Sequence, residues 1–294
     1  HGAIVYADRL PHSPQPRLRP APDSRHYCLP VEFFLDRQPE IQEAIALLQR
    51  QEPVEFYGVG GLGKTTLLRH LAHHPTLAQT FPDGIVYRRV YRQSVNDLGQ
   101  FFFDALYDYD FPISVKPTES ELRDALAHRR ILAIVDDVDL DGTAVDGLLA
   151  LPGLILLIAA SQNHLWLDSQ RQSSGEPRVG QAIPMRGLPI SETLALVEHH
   201  VGPLSPPERS QVETVCRLLR GHPLRIIQTI APLGANPGTG SRDQTPLGFD
   251  HLIEQLQSGM ASETITIQAA TTLPEAERRV LAVLAVFGSV PLAI

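Results

Sequence analysis

The sequence predicts an α/β domain, a parallel sheet sandwiched by helices, followed by a small helical domain. Three observations lead there. From Pro53 onward, short apolar runs alternate with helix-period patterns, as βαβ units do. The first of these runs empties into a glycine-rich loop that opens a helix. After Arg186 the strand-like runs cease and amphipathic helical patterns take over.

Taken in order, Leu10 to Pro22 is rich in proline with scattered arginine and reads as an extended tether, so residues 1–30 are assigned to a linker. The expected strands are Val54 to Val59, Ile85 to Val90, Ile131 to Asp136, Leu154 to Ala160 and a weaker Ala182 to Arg186. Helices are expected from Lys64 to His74, ended by Pro75, and from Ser94 to Leu106. A third, Thr118 to His128, opens with a capping box of Thr118 and Glu121. Beyond Arg186, helices are expected at Ser191 to Val201, at Pro206 to Leu219 with Ser205 as cap and Gly221 as terminator, and near Phe249 to Leu256. Asp168 to Gln181 and Asn236 to Gly248 read as polar, poorly ordered loops. There is no internal repeat.

Composition bounds the function. A length of 294 residues suits about two domains, on a prior of roughly 150 residues each. With 43% hydrophobic and 20% charged residues, the chain reads as a globular protein. Its longest apolar run, Leu151 to Ala160, is too short to cross a bilayer, so no membrane partner is expected. Cys28 and Cys216 stand far apart, which suits buried free thiols in a reducing cytoplasm better than a disulfide framework. A net charge of −8 without a basic stripe argues against direct nucleic-acid binding. The chain opens on His1, and an apolar pattern from Val280 to Phe287 runs on towards Ile294. Both ends therefore read as fragment boundaries, with other domains of a longer parent chain as partners.

Gly58-Val59-Gly60-Gly61-Leu62-Gly63-Lys64-Thr65 fits G-x-x-x-x-G-K-[ST], a phosphate-binding P-loop, between an apolar strand and a helix. Gly58, Gly60, Gly61, Leu62 and Gly63 would turn backbone N–H groups around a β-phosphate, and the helix N-terminus adds its positive end. Lys64 would reach the β- and γ-oxygens, Thr65 would ligate Mg²⁺, and Thr66 would lie near the α-phosphate. Glycine occupies 21 of 294 positions, and lysine occurs only at Lys64 and Lys116. A chance match is therefore expected about once in a thousand such chains.

Such a loop needs a carboxylate to hold Mg²⁺ through water, at the end of a strand beside the loop strand. The apolar run Ile131 to Val135, closed by Asp136 and Asp137, supplies it. Asp136 is assigned to Mg²⁺ and Asp137 to the attacking water. Paired aspartates after a strand also serve as turn and cap residues, and their placement downstream of the loop with one strand between favours the site. Asp139 and Asp141 read as solvated loop carboxylates. Ser161-Gln162 follows the next strand at the edge that faces the γ-phosphate; Gln162 could donate a hydrogen bond there but carries no charge, and a purely structural role fits it equally well. The adjacent pairs His73-His74 and His199-His200 point to different helix faces and cannot chelate one metal. Phe101-Phe102-Phe103 reads as core.

With these residues in hand, the chain from about Val31 to its end resembles the NB-ARC type of STAND ATPases. These are the nucleotide switches of plant resistance proteins, apoptotic adaptors and bacterial signalling proteins. Phe34-Leu35-Asp36-Arg37 looks like the family's opening motif, where the arginine and neighbouring backbone hold adenine. Gly58 to Thr65 and Asp136-Asp137 look like its two nucleotide motifs, and Phe81-Pro82-Asp83-Gly84 with Ile85-Val86-Tyr87 like the segment between them. Gly187-Leu188-Pro189 and Gly221-His222-Pro223-Leu224 resemble the start and the G-x-P-L turn of its helical domain, whose proline packs on the nucleotide. Leu273-Pro274 through Phe287 resembles the first helix of a winged-helix domain.

The resemblance divides the chain into a nucleotide-binding domain at 31–186, a helical domain at 187–260 and a truncated winged-helix start at 261–294. Two positions depart from the pattern. Asp36 replaces the usual glycine, and Ala160-Ser161-Gln162 stands where relatives carry a sensor arginine. The winged-helix histidine that locks ADP would lie beyond Ile294. The implied function is an ATP/ADP switch with Mg²⁺ as cofactor, slow hydrolysis and nucleotide-dependent homo-oligomer formation. The alternatives are a nucleotide-dependent scaffold without hydrolysis, or a nucleotide-gated transcriptional regulator.

Overall fold

The computed structural model describes residues 16–19, 28–31, 33–35, 37–90, 101–102, 104–105, 107–109, 118–138, 149–162, 180–234, 248–262 and 264–265. These divide into two compact units, one reaching Met185 and the other running from Arg186, with Gly60–Gly63 grouped into the second.

The first unit is built on a five-stranded, wholly parallel sheet. Its strands are β2 (Val54–Tyr57), β3 (Ile85–Arg89), β5 (Ile131–Val138), β6 (Leu154–Ala160) and β7 (Gln181–Pro184), in the order β3-β5-β6-β2-β7. The two central strands are apolar almost without interruption because helices cover both faces of a parallel sheet and leave no solvated face to alternate towards. Ile131 to Val135 and Leu156 to Ala160 are accordingly all buried. The carboxylate strand β5 does not lie beside the loop strand β2, as the sequence suggested: β6 separates them. Between the pairs Val135↔Ile158 and Val138↔Ala160, β5 carries one more residue than β6, so an irregularity falls on Asp136-Asp137. A bulge at a strand end re-aims its side chains.

Among the described residues, helices of this unit include α1 (Gln38–Gln49), α2 (Lys64–Ala72), α3 (Pro75–Thr80) and α4 (Glu119–Leu126), and Phe101, Phe102, Asp104 and Ala105 of the expected Ser94 to Leu106 helix are helical too. In α2 the buried Leu67, Leu68, Leu71 and Ala72 form one stripe, and the helix packs on β5 and β6. It ends two residues before the expected His74. His74 instead caps α3, its Nδ1 accepting from the Thr76 amide, and Pro75 takes the first helical position, where its missing N–H costs nothing. Helix α4 begins directly after Thr118, while the Glu121 side chain of the expected capping box lies outside the described residues.

Within the proline-rich segment, residues 16–19 are described. Pro16–Leu18 forms β1, antiparallel to β4 (Tyr107–Tyr109), and Arg19 Nε donates to the Tyr107 carbonyl at 3.0 Å. An already extended, proline-bearing segment loses little freedom when it pairs at an edge. Further on, His73 Nε2 donates to the Cys28 carbonyl (2.7 Å) and Arg69 Nε to that of Leu29 (2.9 Å), fastening residues 28–30 to the flank of α2.

The second unit holds α5 (Ile190–Val201), α6 (Pro206–Leu218), α7 (Pro223–Gly234) and α8 (Phe249–Gln257). Ser205 and Glu208 form the capping box of α6, with the Ser205 amide donating to Glu208 at 2.7 Å. After α6 the chain reverses at Gly221, whose φ is +66° and whose carbonyl accepts from the Leu188 amide at 2.7 Å. A Cβ on Gly221 would meet the Leu188 carbonyl oxygen at 2.2 Å, so the position tolerates only glycine. The expected loops at 168–180 and 236–247, residues Asp139 and Asp141, and the winged-helix start after residue 265 lie outside the described residues, apart from Gly180, and Gln181 opens β7.

Both cysteines are free and buried. Burial pushes the Cys28 thiol up to about 11, outweighing the opposing pull of Arg69. At pH 8 that thiol is protonated, and the thiolate is the reactive species. Native protein is therefore expected to titrate neither Cys28 nor Cys216 with a thiol reagent at pH 8, whereas denatured protein titrates both. In the second unit, Gly221→Ala is expected to cost at least ~2 kcal/mol in chemical denaturation.

Candidate functional site

The candidate site forms where β2 gives way to α2. Past Tyr57 the chain turns through Gly58 (φ +148°), Gly61 (φ +83°) and Gly63 (φ +92°), a backbone path that residues with side chains rarely follow. The Gly58 amide donates to the Ala160 carbonyl at 3.2 Å, tying the loop's start to the end of β6. Lys64 opens α2, and its Nζ donates to the carbonyls of Gly58 (2.6 Å) and Val59 (3.0 Å).

One residue on, Thr65 Oγ1 donates to Asp136 Oδ1 at 3.0 Å. Asp136 is 1% exposed, so this carboxylate needs donors to offset its desolvation. Its other oxygen, Oδ2, accepts from the phenol of Tyr87 at 2.5 Å. Burial first, then the charge of Asp136, raises the Tyr87 phenol well above its ordinary value, so the tyrosine keeps its proton and acts as donor. A threonine hydroxyl and a carboxylate 3.0 Å apart are hard oxygen donors, the kind Mg²⁺ takes, and Mg²⁺ commonly uses one or two protein oxygens with water and phosphate completing its shell. The donor set fits that ion. Among the described residues, no group of three or more His, Cys, Asp or Glu could hold a metal.

The other anticipated residues fall as follows. Phe34 stacks on His70 of α2, with ring centroids 4.1 Å apart and planes 11° from parallel. Burial, then the charge of His74, lowers His70 below the ordinary imidazole value, favouring the neutral ring. Arg37 is buried at the start of α1 and donates to Glu40 Oε1 at 3.1 Å. Asp36 and the side chain of Asp137 lie outside the described residues, although the Asp137 backbone continues β5. Ser161 and Gln162 are exposed just after β6. Thus Lys64, Thr65 and Asp136 come together, while Phe34 and Arg37 sit on the flank of α2 and at the head of α1.

Within the second unit, His222 Nε2 donates to the Gly60 carbonyl at 3.0 Å and the Leu224 amide to that of Gly61 at 3.3 Å. The Arg225 amide donates to His222 Nδ1 at 3.4 Å, which makes this the neutral Nε2–H tautomer. A Cβ on Gly61 would meet Leu224 Cβ at 2.6 Å. Pro223 stands between these two gripping residues.

Sequence reasoning missed Tyr87 and His222. The signal for Tyr87 was a hydroxyl-bearing aromatic near the end of an apolar strand run. In the sheet that strand pairs with β5 in the register Arg89↔Asp136, two residues beyond Tyr87. His222 fell within the G-x-P-L turn, at the motif's variable position, which carries no role of its own in the pattern.

Among the described residues no helix is long and apolar enough to cross a membrane. Residues 37–145 match the NB-ARC domain. No curated protein matches the chain. Among solved structures, it is similar to a signal transduction ATPase with numerous domains (STAND) from Pyrococcus horikoshii, a protein with a tetratricopeptide repeat sensor. That likeness has 17% identity and a TM-score of 0.50 over 88% of this chain, which spans 36% of that protein's length. The chain is also similar to a Walker-type ATPase of Pyrococcus abyssi (15% identity, TM-score 0.50, 83% of this chain and 75% of that one). A third likeness is to the ORC2 protein of Aeropyrum pernix, solved as ADPNP–ADP complexes (14% identity, TM-score 0.51, 80% and 71%). At these identities the likenesses establish the fold, a parallel sheet with helices as in P-loop ATPases, and residues 37–145 are similar to the NB-ARC domain.

Proposed function

We propose that this chain is the core of an adenine-nucleotide switch of the STAND class, cytoplasmic, holding ADP at rest and exchanging it for ATP on activation. The hydrogen bond between Thr65 and Asp136 carries the reading. It joins the first turn of the helix after a phosphate loop to a buried carboxylate two strands away. A structural pair would serve as well with any polar residues, but these are the two whose types the loop motif and its partner strand specify.

Thr65 and Asp136 would hold Mg²⁺, Asp136 through water. When bound, the ion supplies positive charge against the β- and γ-phosphate oxygens. Gly58, Gly60, Gly61, Leu62 and Gly63 would offer backbone N–H groups to the phosphates. The Lys64 ammonium, which donates to the Gly58 and Val59 carbonyls, would turn to the same anion, and Thr66 would serve the α-phosphate. Phe34, Arg37 and Pro223 are assigned to the adenine by the family resemblance. Asp137 would orient the attacking water and accept its proton. Gln162 brings no charge to offset that of the transition state, so hydrolysis is slow.

Lys64→Ala is expected to weaken binding of a fluorescent ADP analogue about 100-fold, or ~2.7 kcal/mol, with the far-ultraviolet circular dichroism unchanged. An unfolded variant would instead assign Lys64 to the fold. Turnover of the chain is expected below ~1 s⁻¹. Asp137→Asn should lower it at least ~100-fold while ADP binding persists. Unchanged turnover in that variant would leave a nucleotide-binding module in place of an ATPase.

A further inference from the structure

Asp136 is held from two sides by hydroxyl groups of different elements. Thr65, on α2, donates to Oδ1 at 3.0 Å, and Tyr87, on β3, donates to Oδ2 at 2.5 Å. The loop motif calls for the first donor and nothing in it calls for the second. Tyr87 is 7% exposed, and it sits on the side of β5 opposite β6. The backbone fixes it there: Tyr87 pairs with Ile134 and Arg89 with Asp136, and the Val90 amide donates to the Asp136 carbonyl at 2.9 Å.

On its other edge, β5 loses regular register at Asp136-Asp137. A carboxylate at a bulge has more than one direction open to it, so an anchor on the regular edge selects among them. With Oδ2 bound to Tyr87, Oδ1 is turned to Thr65, the residue with which Asp136 would share the ion.

We propose that Tyr87 is a positioning residue for magnesium, fixing the Asp136 carboxylate so that Oδ1 faces Thr65. This rests on the assignment of Asp136 to Mg²⁺ made above. The competing account is that the phenol merely satisfies its own buried hydroxyl. In that case its loss would lower stability and leave the metal response untouched.

The test measures ADP affinity across a Mg²⁺ series and in EDTA for the whole chain and for Tyr87→Phe, Tyr87→Leu and Asp136→Asn, with thermal melts of each. Tyr87→Phe is expected to raise the Mg²⁺ concentration for half-maximal effect five- to tenfold, with ADP affinity in EDTA changed less than threefold. Tyr87→Leu lacks the same hydroxyl but packs differently, so it should show the same Mg²⁺ shift despite a different melting temperature. It also keeps the test open if Tyr87→Phe does not fold. A wild-type Mg²⁺ response in the folded Tyr87 variants, alongside a lost response in Asp136→Asn, would overturn the positioning role alone. A shift that follows melting temperature across the two variants would overturn it too. A full Mg²⁺ response in Asp136→Asn would overturn the assignment of Asp136 itself, and this proposal with it.

Discussion

The hydrogen bond from Thr65 to Asp136 spans the end of β6, and the arrangement of the first unit answers to that span. Neighbouring strands lie about 4.8 Å apart, so β2 and β5, separated by one strand, are roughly 10 Å apart. A side chain as short as threonine on β2 would not bridge that gap. The glycine turns after Tyr57 carry the chain away from β2, and α2 then packs over β5 and β6, which brings Thr65 to the carboxylate. Ala159 and Ala160 close β6 with small, buried side chains on opposite faces of the sheet.

The same contact places a full charge where water is excluded. A buried carboxylate is tolerated only when donors replace the solvent it has lost. Here the donors come from a helix and from a neighbouring strand, so the carboxylate's position depends on how α2 and β3 are each seated against β5. Their apolar stripes do the seating, with Leu67, Leu68 and Leu71 on α2 and Ile85 and Val86 on β3 all buried. Core packing and site geometry are therefore coupled, and a cavity beneath α2 would be felt at Asp136.

Much of this was legible in the sequence because it is encoded locally. The glycine loop, the apolar run ending in two aspartates and the Ser205 cap each declare themselves within a dozen residues, and strands β3, β5 and β6 lie where periodicity puts them. The order of strands was not legible, because a parallel strand shows the same apolar run whichever neighbour it takes. The pairing of Pro16–Leu18 with Tyr107–Tyr109 was hidden for a related reason: proline content reports extension and says nothing of a partner. Helix α1 was overlooked although Ile41, Ala44, Leu47 and Leu48 keep helical spacing, and Pro75 was read only as a stop where it also starts α3. Tyr87 escaped because its role exists only across strands.

The central claim is that the loop and its carboxylate receive an adenine nucleotide with magnesium. Calorimetric titration of nucleotide-free protein with ADP, ATP and GTP in the presence of Mg²⁺ tests it most directly. Tight binding selective for adenine is expected, with ADP favoured over ATP; a preference for GTP, or no binding, would overturn the assignment.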